Sequence, residues 1–304
     1  MITVRCPGKV NLGLRVLGRR NDGFHEIVTL FQTIDLADRL TIEDADTLTL
    51  TVDDPSIPTD GSNLVLRAAH LLRERVPQAA GRGAAFRLEK RLPAGGGLGG
   101  GSSNAAGALV GLDRLWELSL PAETLRELAA AVGSDVTFFL SGGSAIGTGR
   151  GEIVEPLAPI PERDLVLGLP PGGLLTAEVY AALGAALTPR TRDVTVTRFF
   201  VKLAERNDFA LATNDLEEAA FAMRYDLVAF RDALRASGAE VALLSGSGST
   251  VFGAFRSGTD AASIALELRR AFPDWAVRRC RTVASGVRVE TTDEERDQGL
   301  LGQR

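Results

Sequence analysis

A run of glycines, GGGLGGG from 95 to 101, is the feature that most limits how this chain can fold. Glycine allows backbone conformations that bring main-chain N–H groups close to an anion. Behind the run, apolar residues recur at helical spacing: Ala105, Leu109, Leu112 and Trp116. Because serine is favoured at helix N-termini, we expect a helix to begin near Ser102 or Ser103, with unpaired donors that attract anions. The segment is predicted to hold phosphate groups.

Other kinds of glycine-rich segment fit this run less well. A flexible linker would rarely lead straight into an amphipathic helix with serines at its start. A dinucleotide-binding loop normally follows the first strand of a crossover unit, whereas Arg91, Leu92, Pro93 and Ala94 precede the run here. The Gly-Lys-Ser/Thr ending of a Walker-type loop is also absent. The run therefore matches neither familiar phosphate loop.

The composition is typical of a soluble globular protein. The chain has 304 residues, of which 45% are apolar and 24% charged, enough for two domains with sizeable cores. The net charge of -5 argues against a general affinity for nucleic acid. The sequence has two cysteines and two histidines, which argues against a zinc or other transition-metal site. Since no apolar run is long enough for a signal peptide or membrane span, we expect a cytoplasmic protein with no membrane partner.

Hydrophobic periodicity predicts a mixture of strands and helices. Strands are predicted near 2–6, 10–16, 48–52, 86–88, 165–169, 241–244 and 251–255, and helices near 65–76, 105–116, 125–132, from Asp215 and from Asp226 to Ser237. The segment 156–163 contains three prolines and is the best candidate for an interdomain connection. We therefore expect an N-terminal domain at 1–155, a C-terminal domain at 164–290 and a polar, disordered tail at 291–304.

Two charged residues stand beside predicted elements. Gly133 is expected to end the helix at 125–132 in the left-handed conformation that glycine favours, and Asp135 follows it. Taken alone, Asp135 is explained more simply as a helix cap, and Lys9 as a solvated charge beside a strand. Neither residue by itself indicates catalysis.

Three motifs give the chain a wider resemblance: PGKVNL at 7–12, PAGGGLGGGSSNAA at 93–106 and LSGSGSTVF at 244–252. Their order and spacing resemble the GHMP kinases, named for galactokinase, homoserine kinase, mevalonate kinase and phosphomevalonate kinase. The resemblance covers nearly the whole chain up to about Glu290. It implies an α+β, two-lobed fold, with an N-terminal lobe like domain 2 of ribosomal protein S5 and a C-terminal α/β-sandwich lobe.

The resemblance also implies ATP-dependent phosphoryl transfer, with Mg²⁺ accompanying ATP. The residues that it assigns to ATP are Asn63, Pro93, Ala94, Gly95, Gly96, Gly97, Leu98, Gly99, Gly100, Gly101, Ser102 and Ser103. Lys9 and Asp135 look like the family's catalytic pair, in which the aspartate accepts a proton and the lysine counters negative charge. Asn63 is equally well explained as a helix N-cap. A serine hydroxyl at 102 or 103 could reach Mg²⁺, but most ligands could come from ATP and water, so no metal site is assigned.

Within the family, RRNDGFHE at 19–26 and GSDVTFF at 133–139 are most similar to members that phosphorylate a hydroxyl of a cytidine-diphosphate substrate in non-mevalonate isoprenoid synthesis. Phe24 and His25 resemble the pair that holds the cytosine, with Tyr180 as a second aromatic face. Asn11 and Thr176 are secondary candidates around the acceptor and its diphosphate. Many relatives have tyrosine where Phe24 stands, so a hydrogen bond from that position is lost.

Other functions stay open. Another GHMP kinase would take homoserine, mevalonate or a sugar, although such acceptors would have no use for a base-stacking site. A non-catalytic ligand sensor is disfavoured because Lys9 and Asp135 are both present, and an RNA-binding module is disfavoured by the acidic charge. The sequence leaves open whether the protein is a monomer or a homodimer.

Overall fold

The computed structural model describes residues 1–183 and 194–290. Its strands are β1 Ile2–Arg19, β2 His25–Ala45, β3 Thr49–Val52, β4 Gly83–Glu89, β5 Ser144–Gly149, β6 Ile153–Pro156, β7 Asp164–Leu169, β8 Val241–Leu244, β9 Val251–Phe255, β10 Ala276–Arg281 and β11 Arg288–Val289. Strands β1 to β6 and β11 form one sheet, with the central order β11-β1-β2-β4-β3 and with β5 paired to β2 and β6. Strands β7 to β10 form a second sheet in the order β10-β7-β9-β8.

The helices are α1 Leu64–Arg75, α2 Gly100–Leu115, α3 Ala122–Val132, α4 Val136–Ser141, α5 Thr176–Leu183, α6 Val194–Arg206, α7 Glu217–Met223, α8 Asp226–Ala236 and α9 Ala261–Ala271, with a short 3₁₀ turn at Pro77–Ala79. Helices α1 to α4 enclose one apolar core with the first sheet. Helices α5, α7, α8 and α9 enclose another with the second sheet. Two sheets, each with its own layer of helices, confirm the predicted α+β fold.

A third core joins the two sheets. Buried side chains of β1 and β2, such as Leu12 and Leu30, belong to the same cluster as Leu167 of β7 and Phe252 of β9. This cluster packs the two sheets against each other. The cavity described below is accordingly lined by residues from both halves of the chain. The predicted domain division at 156–163 stays a prediction, and β11 pairs with β1 in the first sheet. The predicted tail at 291–304 lies outside the described residues.

The hairpin of β1 and β2 carries several predicted site residues. It pairs antiparallel along nearly its whole length, with register shifts at Pro7/Gly8 and between Asn11 and Gly13. Such irregularities bend a strand locally and redirect its side chains. Lys9 and Asn11 lie on the stretch between these shifts, and the far end of the hairpin places His25 opposite Arg19.

Two local predictions are wrong. Helix α2 begins at Gly100, after a left-handed Gly99 with φ of 69°, and no serine side chain caps it. The left-handed glycine turns the chain into the helix, which places both serines inside its first turns. Gly133 has φ of -179°, an extended conformation, because the chain runs directly on to α4.

Among the helices of the described residues, none combines the length and the apolar character that a membrane span needs.

Candidate active site

A cavity of about 1390 Å³ lies where the first hairpin, the glycine run and the second half of the chain meet. The predicted residues that line it are Lys9, Asn11, Phe24, His25, Pro93, Ala94, Gly95, Gly96, Gly97, Gly99, Gly100, Gly101, Ser102, Asp135, Thr176 and Tyr180. Ligand cavities usually measure roughly 300–1,000 Å³. This one therefore has room for two ligands side by side.

The glycine run is fixed through its carbonyl groups. The Gly97 carbonyl accepts a hydrogen bond from Ser245 Oγ at 2.9 Å, and the Gly96 carbonyl accepts one from the Thr250 N–H at 3.2 Å. The Leu98 carbonyl accepts the Lys9 N–H at 2.9 Å, and the Leu98 side chain is buried in the core. Within the described residues, the N–H groups of 95–99 donate no hydrogen bond. These free donors lie next to the N-terminus of α2, and such an arrangement, called the phosphate cradle below, can hold phosphate groups.

Glycine is required at the centre of this cradle. Gly97 has φ of 75°, and a Cβ placed there would be 2.0 Å from the Ser245 carbonyl oxygen. Any other residue would push the loop away from the third motif, LSGSGSTVF. The close approach therefore depends on a missing side chain as well as on a permitted backbone angle.

Lys9 and Asp135 face each other in the cavity. Lys9 Nζ lies 3.5 Å from Asp135 Oδ2, and it donates a hydrogen bond of 2.7 Å to Asn11 Oδ1. Asn11 Nδ2 in turn donates to Thr29 Oγ1 at 2.7 Å, which fixes the orientation of the amide. The lysine is 4% exposed and the aspartate 29%. The catalytic pair that the resemblance implied is therefore brought together at one wall of the cavity.

Burial sets the electrostatics of this pair. It lowers the pKa of the Lys9 ammonium, and the Asp135 carboxylate opposes that shift. Asp135 stands at the N-cap position of α4, yet its side chain makes no capping hydrogen bond. The simple explanation of Asp135 as a helix cap therefore fails, and its carboxylate is directed to Lys9 instead.

Phe24, His25 and Tyr180 form an aromatic part of the cavity, called the aromatic end below. His25 and Tyr180 stack with ring centroids 4.8 Å apart and an interplanar angle of 25°. Phe24 is 52% exposed, and the Arg150 guanidinium lies 4.7 Å from the centre of its ring. Burial lowers the pKa of His25, with a smaller contribution from Arg19, so its imidazole tends to stay neutral. Burial, with the Asp135 carboxylate, raises the pKa of the Tyr180 hydroxyl, which therefore stays protonated.

Three predicted residues do not line the cavity. Asn63 caps α1: its Oδ1 accepts the Val65 N–H at 3.0 Å, and its Nδ2 donates to the Pro58 carbonyl at 2.7 Å. Leu98 anchors the loop from the core side, and Ser103 is completely buried within α2. Thr176 does reach the cavity, where its hydroxyl lies 2.9 Å from that of Ser247.

Several residues of the cavity were missed from sequence. They include Arg19, Phe31, Ser134, Arg150, Gly246 and Ser247. Arg19, Ser134, Gly246 and Ser247 are parts of motifs that were used for the resemblance. Ser134 directly precedes Asp135, and Arg19 pairs with His25 across the hairpin. Arg150 carried no local signal, because only the pairing of β5 with β2 brings its turn beside the first hairpin.

Comparisons with known proteins show which family the chain belongs to. The model of the GHMP kinases N terminal domain matches residues 63–143, and that of the GHMP kinases C terminal matches 200–274. The fold and the site thus define a GHMP kinase. The chain is 41% identical over 276 residues to the 4-diphosphocytidyl-2-C-methyl-D-erythritol kinase of Pelotomaculum thermopropionicum, covering 89% of this chain and 94% of the relative. The chain belongs to the family of these kinases.

Solved structures show the same relationship. A crystal structure of 4-(cytidine 5'-diphospho)-2C-methyl-D-erythritol kinase is 36% identical, with a TM-score of 0.74, and the match covers 92% of this chain and 98% of that one. A homoserine kinase from Cytophaga hutchinsonii has a TM-score of 0.73 at 20% identity, covering 95% of this chain and 97% of that one. Since two enzymes with different names fit almost equally well, the fold alone does not select the acceptor.

Proposed function

We propose that this chain transfers the γ-phosphoryl group of ATP to the 2-hydroxyl of 4-diphosphocytidyl-2-C-methyl-D-erythritol, giving the 2-phosphate and ADP in non-mevalonate isoprenoid synthesis. The observation that carries the proposal is one cavity with a phosphate cradle, a lysine–aspartate pair and an aromatic end. The family membership supports the same reaction. Because ATP and the acceptor are highly charged solutes, we place the reaction in the cytoplasm.

Asp135 acts as the general base. Its carboxylate is partly exposed to the cavity and makes no capping bond, so an acceptor hydroxyl can approach it. Lys9 lies beside this carboxylate and counters the charge that develops on the phosphoryl group. Phosphoryl transfer depends mostly on such positioning and electrostatic stabilisation, which matches the rigid Lys9–Asn11–Thr29 hydrogen-bond chain.

The free N–H groups of 95–99 hold the ATP phosphates. Within the described residues, no cluster of three or more acidic, histidine or cysteine side chains could hold a metal. Ser102 faces the cavity and could supply one oxygen to Mg²⁺, whereas Ser103 is completely buried and does not line the cavity. Bound with ATP, Mg²⁺ would neutralise charge on the phosphates.

The aromatic end selects the cytosine. His25 and Tyr180 are already in contact, so a base stacks beside this pair and not between its two rings. A neutral imidazole can both donate and accept a hydrogen bond at the edge of the base. Homoserine and mevalonate offer no ring for this end of the cavity.

An assay of ATP consumption tests the proposal. The purified protein is given ATP and Mg²⁺ with the cytidine-diphosphate acceptor, mevalonate or homoserine in separate reactions. We expect turnover with the first acceptor and only background with the others. Equal or faster turnover with mevalonate or homoserine would refute the proposed substrate, and no turnover with any acceptor would refute the proposed activity.

A further inference from the structure

A single buried carboxylate connects both ends of the glycine run. Asp38, on β2, is 1% exposed. Its Oδ1 accepts the main-chain N–H groups of Arg91 at 2.7 Å and Leu92 at 2.8 Å, directly before Pro93. Its Oδ2 accepts a hydrogen bond of 3.0 Å from Asn104 Nδ2, in α2 just after the run. The entry and the exit of the loop are thus held by the same side chain.

Lys90 completes this cluster. Its ammonium is ion-paired with Asp38 Oδ2 and donates to Asn104 Oδ1 at 3.2 Å. A buried carboxylate without a partner would strongly destabilise the fold, and the lysine neutralises it. None of Asp38, Lys90 and Asn104 lines the cavity, so none of them would touch ATP. The cluster lies behind the loop and carries no direct binding role.

The contacts of Asp38 fix the distance between the two ends of the phosphate cradle. Position 100 packs against the cluster, since a Cβ added there would lie 3.3 Å from Lys90 Nζ. Between 92 and 100, four of the seven residues are glycines, which have no side chains that could fix the shape of the loop. Donors that are held in place before the ligand arrives bind it more tightly, because less order must be created on binding.

We propose that Asp38, with Asn104 and Lys90, is a positioning residue that fixes the two ends of the phosphate loop for ATP. The inference rests on the proposed function in taking ATP as the ligand of this loop. It extends the site to residues that make no contact with substrate. Asn104, which ended the glycine motif without a role, becomes the tie between Asp38 and α2.

Asn104→Ala is the most direct test. It removes the tie to α2, while Asp38 keeps Lys90 and both main-chain donors, so no charge is left unpaired. Loss of one or two such hydrogen bonds should raise the Kd and KM for ATP roughly tenfold, with the KM for the acceptor changed by less than about twofold. ATP binding is measured by calorimetry without acceptor, and both KM values by ATP consumption.

Two further variants complete the design. Leu268→Ala truncates a buried side chain of α9 outside the cavity, so it lowers the melting temperature without touching the loop. Its Kd for ATP should match the wild type, which separates general destabilisation from loop positioning. Asp38→Asn keeps the size of the side chain but removes its charge, and it should weaken ATP binding at least as much as Asn104→Ala does.

The outcomes are separable. A selective loss of ATP affinity in Asn104→Ala or Asp38→Asn supports the inference. Unchanged ATP affinity in folded Asn104→Ala, or an equal rise in KM for both substrates, overturns it. If Asn104→Ala does not fold, the same comparison is made with Asp38→Asn and decides in the same way. Absence of ATP binding by the wild-type protein would instead refute the proposed function.

Discussion

Replacing Asp135 by asparagine removes one negative charge from the cavity while keeping the size of the side chain. At 3.5 Å and an effective dielectric constant of about 20, Lys9 and Asp135 attract each other by roughly 5 kcal/mol before the cost of desolvation is counted. An amide cannot accept the proton of an acceptor hydroxyl. Since general-base catalysis typically contributes about 100- to 10,000-fold, kcat should fall by roughly that factor.

ATP binding should respond differently. The phosphate cradle is built from 95–99 and the start of α2, and neither its carbonyl contacts nor its free donors involve Asp135. The Kd for ATP in Asp135→Asn should therefore stay within about threefold of the wild type, a change below 1 kcal/mol. Loss of turnover with retained ATP binding is the pattern expected of a residue that acts in the chemical step.

The assay pairs steady-state kinetics with calorimetric titration of ATP. Asp232→Asn is the matched control, because it makes the same change in an exposed ion pair with Arg231 on α8, outside the cavity. We expect wild-type kcat and Kd in that control. Near-normal turnover in Asp135→Asn would remove Asp135 from the role of base. An equal loss of turnover and ATP affinity would show that the residue is needed for the structure of the site.

Three further predictions concern the aromatic end and the loop. His25→Ala should raise the KM for the cytidine acceptor about tenfold or more and leave that for ATP nearly unchanged, whereas His70→Ala, on exposed α1 surface, should change neither. The pKa of His25 is lowered from 6.5, so its imidazole remains neutral as the pH falls through 6.5. The KM for the acceptor should therefore rise only below pH 6.5. A rise in this KM centred above pH 6.5 would contradict the prediction. Gly97→Ala should abolish tight ATP binding, because the added Cβ would collide with the Ser245 carbonyl. Gly238 is the control: it also has a positive φ, 87°, but open space around it. Gly238→Ala should cost only about 1–2 kcal/mol of stability and retain ATP affinity.

Short sequence patterns predicted the strands and helices whose structure depends mainly on residues close to them in the chain. The strands at 241–244 and 251–255 lie where apolar segments on either side of a turn predicted them, and α1 begins just before the predicted 65. The first strand differs, since two predicted segments are one strand that passes through Pro7 and Gly8 with a register shift. Pro7 and Gly8 lie between the two predicted segments, and pairing with β2 carries the strand across them.

The candidate site shows a similar limit. Lys9 and Asp135 were identified through motifs, because neither residue has a local pattern that separates a catalytic charge from a solvated one. The stacking of His25 on Tyr180 and the position of Arg150 come from contacts between distant parts of the chain. Such contacts depend on how the two sheets pack, and no periodicity within a short window encodes that packing.

The phosphate cradle itself depends on residues far from the glycine run. Glycine permits the backbone angles of 95–99, but it does not decide which way the peptide groups face. Ser245 and Thr250 do so from the third motif, by binding the carbonyls of Gly97 and Gly96 and so leaving the N–H groups free. A glycine run is therefore only half of the signal for this kind of phosphate site. The other half is the set of donors that hold its carbonyls: the Ser245 hydroxyl and the Thr250 main-chain N–H from the third motif, and the Lys9 main-chain N–H from the first. This is why the first and third motifs gain meaning only together with the second.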